Sequence, residues 1–222
     1  ACACTPCMSH RPSAPIPSHP DVEILSERRV WSGRFPLDQV AFRHRRFDGR
    51  MSETRNWELW RRGPAAAMLP YDPVSDRVVL IEQFRLPALA AGTDPMLVEL
   101  PAGLCEHNED PAETIRREMQ EEMALSADRA EKIGDFLLTP GGADELCHLF
   151  VGRVVAPAAD ADGIAGHAGE AAESEDIRTR VWAADTAIAA AFDGRFTNSV
   201  TAIALFWLAS KRDWLRQTWR SA

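Results

Sequence analysis

Residues Gly103–Leu125 read GLCEHNEDPAETIRREMQEEMAL. The second half of this stretch predicts a helix. Asp110 is placed to cap it, Pro111 takes the first helical position, and Glu113 follows three residues after the cap. At about 100° per residue, Glu118, Glu121 and Glu122 fall within an arc of roughly 100°. Ala112, Ile115, Met119 and Met123 form the adjacent apolar stripe. One side of the helix can therefore pack while three carboxylates converge beside it. Like charges at these spacings cost a bare helix about 0.2–0.5 kcal/mol per pair. A solvated acidic face is one reading. The other is a hard divalent cation that offsets the repulsion, and Mg²⁺ prefers carboxylate oxygens together with water and substrate phosphates.

The spacing separates the two. Gly103, five residues, Glu109, seven residues, Arg117-Glu118-Met119, one residue, Glu121-Glu122, one residue, then Ala124-Leu125 closely resembles the Nudix box. That pattern is G-x5-E-x7-R-E-hydrophobic-x-E-E-x-G-hydrophobic, and a match at so many spaced positions is far more specific than a lone glycine-rich loop. Ala124 stands where the family usually has Gly. The position closes the helix, so Ala is expected to extend it slightly, and it carries no chemistry.

Working outward, residues 1–20 carry five prolines and are expected to be a disordered or extended leader. Between Asp21 and Trp60, alternation predicts short strands at Val22–Leu25, Glu27–Trp31, Leu37–Arg45 and Asn56–Trp60, a small antiparallel sheet over residues 21–62. The Gly63-Pro64 pair marks a boundary, and residues 63–222 read as the main domain. Strands are expected at Ala65–Pro70, Arg77–Arg85, Met96–Leu100, Ile133–Thr139, Leu146–Val155 and Ile177–Trp182, and helices at Asp185–Phe192 and Asn198–Trp214. Pro87–Pro95 reads as a loop, and Ala156–Ala172 as a long mobile one. Strands with helices on both faces give an α/β class, an α/β/α sandwich with a mixed sheet preceded by the small N-terminal sheet; the Nudix resemblance implies the same.

The resemblance extends beyond the box. Arg55-Asn56-Trp57-Glu58, Val79–Arg85, Glu99–Gly103, Pro140-Gly141-Gly142 and Glu173–Ile177 are similar to the ADP-ribose pyrophosphatase branch, over roughly residues 22 to 215. What this implies is Mg²⁺-dependent hydrolysis of a nucleoside diphosphate sugar, with Mn²⁺ as a possible substitute. ADP-ribose would give AMP and ribose 5-phosphate. GDP-mannose is the alternative substrate, and a non-catalytic ADP-ribose sensor the alternative class. The branch also implies a homodimer that exchanges its N-terminal sheet. On the same footing Glu118, Glu122, Glu175 and the carbonyl of Ala102 are metal ligands, with Glu121 a ligand or a support for one. Arg117 orients a box carboxylate and at i,i+4 reaches Glu121. Glu173 is the general base, Glu175 being the alternative two residues on. Arg85 suits phosphate as a planar fork. Trp57 resembles the aromatic that stacks on adenine, Phe35 its partner across the dimer, and Arg55, Glu99 and Glu145 further substrate contacts; core packing or an ordinary ion pair is the alternative for each.

Composition bounds the rest. With 222 residues, 45% hydrophobic, the chain fits one medium domain with an appendage. A net charge of −8 and the lack of a basic stripe argue against a nucleic-acid surface. Apolar runs fall short of the ~18 residues of a membrane helix. Without an apolar signal region a cytoplasmic location is expected, with free thiols as the default. Cys4-Thr5-Pro6-Cys7, near Cys2 and His10, has the spacing of half a zinc site but lacks a second pair. Cys105 and Cys147 read as small packing residues.

Overall fold

A computed structural model describes residues 14–168 and 176–220. The chain divides into two compact units, Ala1–Pro64 with Leu137–Leu146, and Ala65–Phe136 with Cys147–Ala222.

The first unit is built on a three-stranded antiparallel sheet in the order β1 (Val22–Trp31), β2 (Leu37–His44), β3 (Arg55–Trp60). The two short strands expected before Trp31 are one strand. Its pairing to β2 shifts register between Ile24 and Ser26, so the polar interruption is a bulge rather than a break. Cross-strand charges fix the register: Glu23 faces Arg43 and Arg29 pairs with Asp38. Arg61, only 6% exposed, lies 3.0 Å from Glu27, 3.8 Å from Asp38 and 2.8 Å from Asp144. A guanidinium is buried tolerably only when carboxylates surround it, and this one ties β1, β2 and the Leu137–Leu146 segment together. Trp60 N–H donates to Gly142 O at 2.8 Å, which pins that segment to the end of β3. Residues 14–20 lie against the same unit: Arg61 donates to Ala14 O, and His19 bridges to Val22. Cys2, Cys4 and Cys7 lie outside the described residues.

The second unit is an eight-stranded mixed sheet between helices. The strands are β4 (Ala65–Asp72), β5 (Arg77–Phe84), β6 (Met96–Glu99), β7 (Ala102–Leu104), β8 (Arg129–Leu137), β9 (Leu146–Arg153), β10 (Ile164–Ala168) and β11 (Ile177–Ala183). The order is β10-β11-β5-β4-β9-β8, with β6 on β5 and β7 on β4; β4 and β9 run parallel and the other registered pairs antiparallel. Every residue of β4 is buried, as a strand covered on both faces requires. The helices are α1 (Leu86–Ala90), α2 (Pro111–Met123), α3 (Ala184–Phe192) and α4 (Ser199–Trp219). Ile115, Met119 and Met123 of α2 pack on Ala66, Met68, Val79 and Ile81, so the apolar stripe of this helix seats it on the sheet. Full burial of a side chain such as Ile115 contributes about 1.5–3 kcal/mol. On the other face, α4 buries Ala204, Leu205, Leu208 and Leu215.

Four expectations change. The Pro87–Pro95 loop begins with α1, with Pro87 in its first turn. β7 forms inside what reads as a loop, because β4 offers it an edge. The Ala156–Ala172 loop contains β10, which extends the sheet after a turn at Gly163 (φ +76°). Finally, Ala124 does not extend α2. It adopts the left-handed conformation (φ 52°, ψ 34°) and ends the helix, in the way a glycine would.

Candidate active site

In the second unit, α2 starts as its sequence dictates. The Asp110 side chain accepts from Ala112 N–H at 2.7 Å, with Pro111 next. Glu113 does not return to the cap; it pairs with Arg116.

With the apolar side of α2 on the sheet, the carboxylates gather around one cation. Arg117 Nη1 donates to Glu118 Oε1 at 2.9 Å and to Glu121 Oε2 at 3.1 Å. Its Nε and Nη2 reach the two oxygens of Glu109 at 3.4 and 3.5 Å. The expected i,i+4 contact is thus present, within a wider fork. The backbone N–H of Glu106, then the Thr114 hydroxyl and Arg117, outweigh burial and hold the Glu109 carboxyl below the usual carboxylate range. Burial opposes the charge on Arg117, but the bond to Glu109 and the charges of Glu118, Glu109 and Glu121 outweigh it and raise its pKa.

Glu118 and Glu122 are also positioned by the segment ahead of the helix. β7 pairs with β4, placing Ala102 opposite Ala67 and Gly103 opposite Ala66. Ala102 N–H donates to Glu122 Oε2 at 3.2 Å, and Glu122 is only 4% exposed. A Cβ on Gly103 would lie 2.0 Å from Glu118 Oε1, so glycine there is what lets the carboxylate rest on the backbone.

Among the described residues, four carboxylates stand near one guanidinium in a partly desolvated place. Among the described residues no three His, Cys, Asp or Glu side chains converge into a closed metal cage. The donor set nonetheless fits a hard cation of the Mg²⁺ kind, which keeps several waters and binds through one or two carboxylates plus phosphates. The cradle over Gly103 and the buried Glu122 carboxylate are the features that fit it. Glu121, with a side chain 47% exposed, is the outermost of the box carboxylates.

The other expected residues divide between the units. Arg85 and Glu99 pair through Nε and Oε2 at 2.8 Å; the arginine side chain is 42% exposed and Glu99 is buried. In the first unit, Trp57 is 50% exposed, packs edge-on against Phe42, and lines an apolar pocket of about 240 Å³ with Ile16, Val40 and Pro140–Ala143. Phe35 packs edge-on against Trp60, not Trp57. Arg62 lies 4.1 Å over the Phe35 ring and donates to both oxygens of Glu145 at 3.1 and 3.0 Å. Arg62 therefore joins two expected site residues and was not anticipated; its signal was the Arg61-Arg62 pair just ahead of the Gly63-Pro64 boundary. Arg55 lines a separate hollow of about 580 Å³ at the tip of the β2–β3 hairpin, beside His44, Arg45 and Phe47. Glu173 and Glu175 lie outside the described residues. Cys105 and Cys147 are buried, as packing residues should be.

Comparison with known proteins adds to this geometry. The NUDIX domain family matches residues 61–197. The chain belongs to the NUDIX domain family. Within it, the chain is 40% identical over 199 residues to the ADP-ribose pyrophosphatase of Escherichia coli (strain K12), covering 90% of this chain and 93% of that one. It is 34% identical over 184 residues to the GDP-mannose pyrophosphatase of Yersinia enterocolitica, covering 82% and 90%. The NUDIX fold also superposes on the crystal structure of an ADP compounds hydrolase with a TM-score of 0.63, at 20% identity, covering 91% and 98% of the two chains. That last likeness concerns the fold. The matched residues include the cradle at Gly103 and the Arg117 fork.

Proposed function

We propose that this protein hydrolyses the pyrophosphate of ADP-ribose. Water adds its oxygen to one phosphorus, the bridging P–O bond breaks, and AMP and ribose 5-phosphate leave. The observation that carries this reading is the folded box: Glu118 on Gly103, Glu122 on Ala102 N–H, and surplus negative charge around Arg117. The similarity to ADP-ribose pyrophosphatases over nine-tenths of the chain selects the substrate.

Glu118 and Glu122, with the Ala102 carbonyl and Glu175, are the groups that would hold Mg²⁺, with Mn²⁺ as a substitute. A bound divalent cation would neutralise charge on the pyrophosphate and favour ionisation of an attacking water. Arg117 keeps the box carboxylates apart and oriented, with Glu121 as support or further ligand. Arg85, held by Glu99, presents a planar fork to phosphate. Glu173 accepts the proton of the attacking water, with Glu175 as the alternative. Trp57 and Phe35 offer aromatic faces to the base, and Arg55 and Glu145 further polar contacts.

The working form in this reading is a homodimer that exchanges the N-terminal sheet, in the cytoplasm. All ten residues of β1 are exposed, Val22, Ile24, Leu25, Val30 and Trp31 among them, an apolar surface that favours burial against a partner. The same reading takes residues 1–20 as a leader, 21–62 as the exchanged sheet and 63–222 as the hydrolase domain. Among the described residues no helix is long and apolar enough to cross a membrane.

The GDP-mannose relative supports a second reading with the same chemistry. Product formation from ADP-ribose and GDP-mannose, side by side, with Mg²⁺ and with chelator, decides. Metal-dependent AMP is expected. GMP would move the substrate, and ADP-ribose binding without cleavage would point to a sensor. Glu173→Gln is expected to lower turnover with substrate still bound; if Glu175→Gln does so instead, the base is Glu175.

A further inference from the structure

β6 runs directly into the segment that carries the box carbonyl and glycine, and each residue of that junction is anchored. Glu99 Oε2 accepts from Arg85 Nε at 2.8 Å, and Glu99 Oε1 accepts from Asn198 Nδ2 at 2.7 Å. Leu100 N–H donates to Thr201 Oγ1 at 3.2 Å. Pro101 O accepts from Met68 N–H at 3.2 Å, and Ala102 N–H donates to Glu122. Two of these anchors come from the first turn of α4, about a hundred residues downstream.

Asn198 does two things there. Its Oδ1 caps α4, accepting from Thr201 N–H at 3.1 Å and from the Thr201 hydroxyl at 3.2 Å. Aspartate or serine would cap as well. The amide does both from separate atoms, its oxygen capping and its nitrogen reaching one bond beyond Cγ to the carboxylate; aspartate would cap but has no donor. The second bond goes to a buried glutamate whose other oxygen holds Arg85. Glu99 thus has both oxygens taken by protein donors, and its reach is through Arg85.

We propose that Asn198 is a positioning residue for the reaction: through Glu99 it sets the direction of the Arg85 guanidinium toward the phosphates of the substrate. This rests on the reading above that Arg85 takes phosphate. Thr201 assists by fixing the backbone at Leu100.

The test is a double-mutant cycle of Asn198→Ser and Arg85→Ala. Serine keeps the cap, and its hydroxyl sits where the Asn198 Cγ was, one bond short of the atom that donates to Glu99. KM is expected to rise about tenfold, with kcat within about twofold. Tm stays near the wild-type value. In the Arg85→Ala background, Asn198→Ser is expected to add nothing. The cycle uses whichever of ADP-ribose or GDP-mannose the wild type cleaves, and calorimetric titration of ADP-ribose in chelator repeats it without turnover. An unchanged KM and affinity in Asn198→Ser overturns the proposal, as does its full effect on top of Arg85→Ala. If Arg85→Ala itself changes neither, the phosphate role of Arg85 is wrong and the positioning role falls with it, while cleavage by the wild type still stands.

Discussion

Two ion clusters in the second unit differ in charge balance among the described residues. At one end of the sheet, Asp76 accepts from Arg212, Arg216 and the hydroxyl of fully buried Tyr71, and Asp185 also pairs with Arg212. Two carboxylates meet two guanidiniums there, so the cluster is neutral and closed. At the box, among the described residues, Glu109, Glu118 and Glu121 pair with Arg117, and Glu122 accepts from a backbone N–H. A balanced cluster is finished when the chain folds. An unbalanced one, held in place by core packing and a glycine cradle, is finished only by a ligand. Charge surplus therefore separates a site from a staple more sharply than the number of ion pairs does.

The largest expected effect tests that distinction. Glu122→Gln keeps an acceptor for Ala102 N–H and removes one charge from the surplus. Turnover with Mg²⁺ is expected to fall by at least about 100-fold, or about 2.7 kcal/mol of barrier. Tm in chelator is expected to hold or rise slightly, because repulsion is relieved. Steady-state kinetics beside thermal unfolding reads both; near-normal activity removes the box from the mechanism. Wild-type Tm is expected to climb with added Mg²⁺ and that of the variant much less.

Asp76→Asn gives the opposite pattern. It breaks the balance of the closed cluster, and Asn tolerates the left-handed backbone at this position (φ 60°). Stability is expected to drop by about 2–3 kcal/mol, with kcat and KM per folded molecule unchanged. Burial pushes the Asp76 carboxyl up, but the bonds from Arg212 and Tyr71 and the charges of Arg212 and Arg216 outweigh this and hold it below its ordinary value. A depressed folded pKa stabilises the fold fully above the unfolded pKa of about 3.9 and ceases to do so as pH falls through the folded value. Wild-type stability should thus decline below about pH 4, and urea unfolding across that range should show a shallower decline for Asp76→Asn. An equal slope in both proteins would assign the acid sensitivity elsewhere.

The same contrast explains what sequence could reveal. The box was legible because its residues lie on one short segment, where helical spacing turns sequence distance into geometry; Glu118, Glu121, Glu122 and Arg117 come together as their spacing implies. The strand and helix order of the sandwich followed from hydrophobic periodicity. Features made by distant partners were not legible. β7 and β10 exist because a neighbouring strand offers an edge. Arg61 is buried because carboxylates from three places surround it, and Arg62 joins Phe35 to Glu145 across some eighty residues. A cap for the last helix, at Asn198 or Thr197, was legible from local chemistry; the bond from Asn198 to Glu99 depends on a strand far away in the chain.

The smallest effect concerns the residue that closes the box helix. Ala124 holds φ 52°, where its Cβ crowds the following carbonyl. A left-handed residue other than glycine costs about 1–2 kcal/mol, and glycine gives back about 0.5–1 kcal/mol through its greater freedom when unfolded. Ala124→Gly is therefore expected to stabilise the fold by about 0.5–1 kcal/mol, a rise in Tm of about 1–4 °C for a domain of this size. Leu125 N–H already donates to Met119 O at 3.2 Å and Ala124 N–H to Gln120 O at 3.1 Å, so the helix end needs no rearrangement to accept the change. Turnover should not move, since Glu121 and Glu122 keep their places on α2. A fall in activity would mean that the conformation at Ala124 sets the angle of Glu122, and the unbalanced cluster would then depend on its helix end as well as on its core. A fall in Tm would mean that the left-handed turn is stabilised by contacts of the alanine methyl.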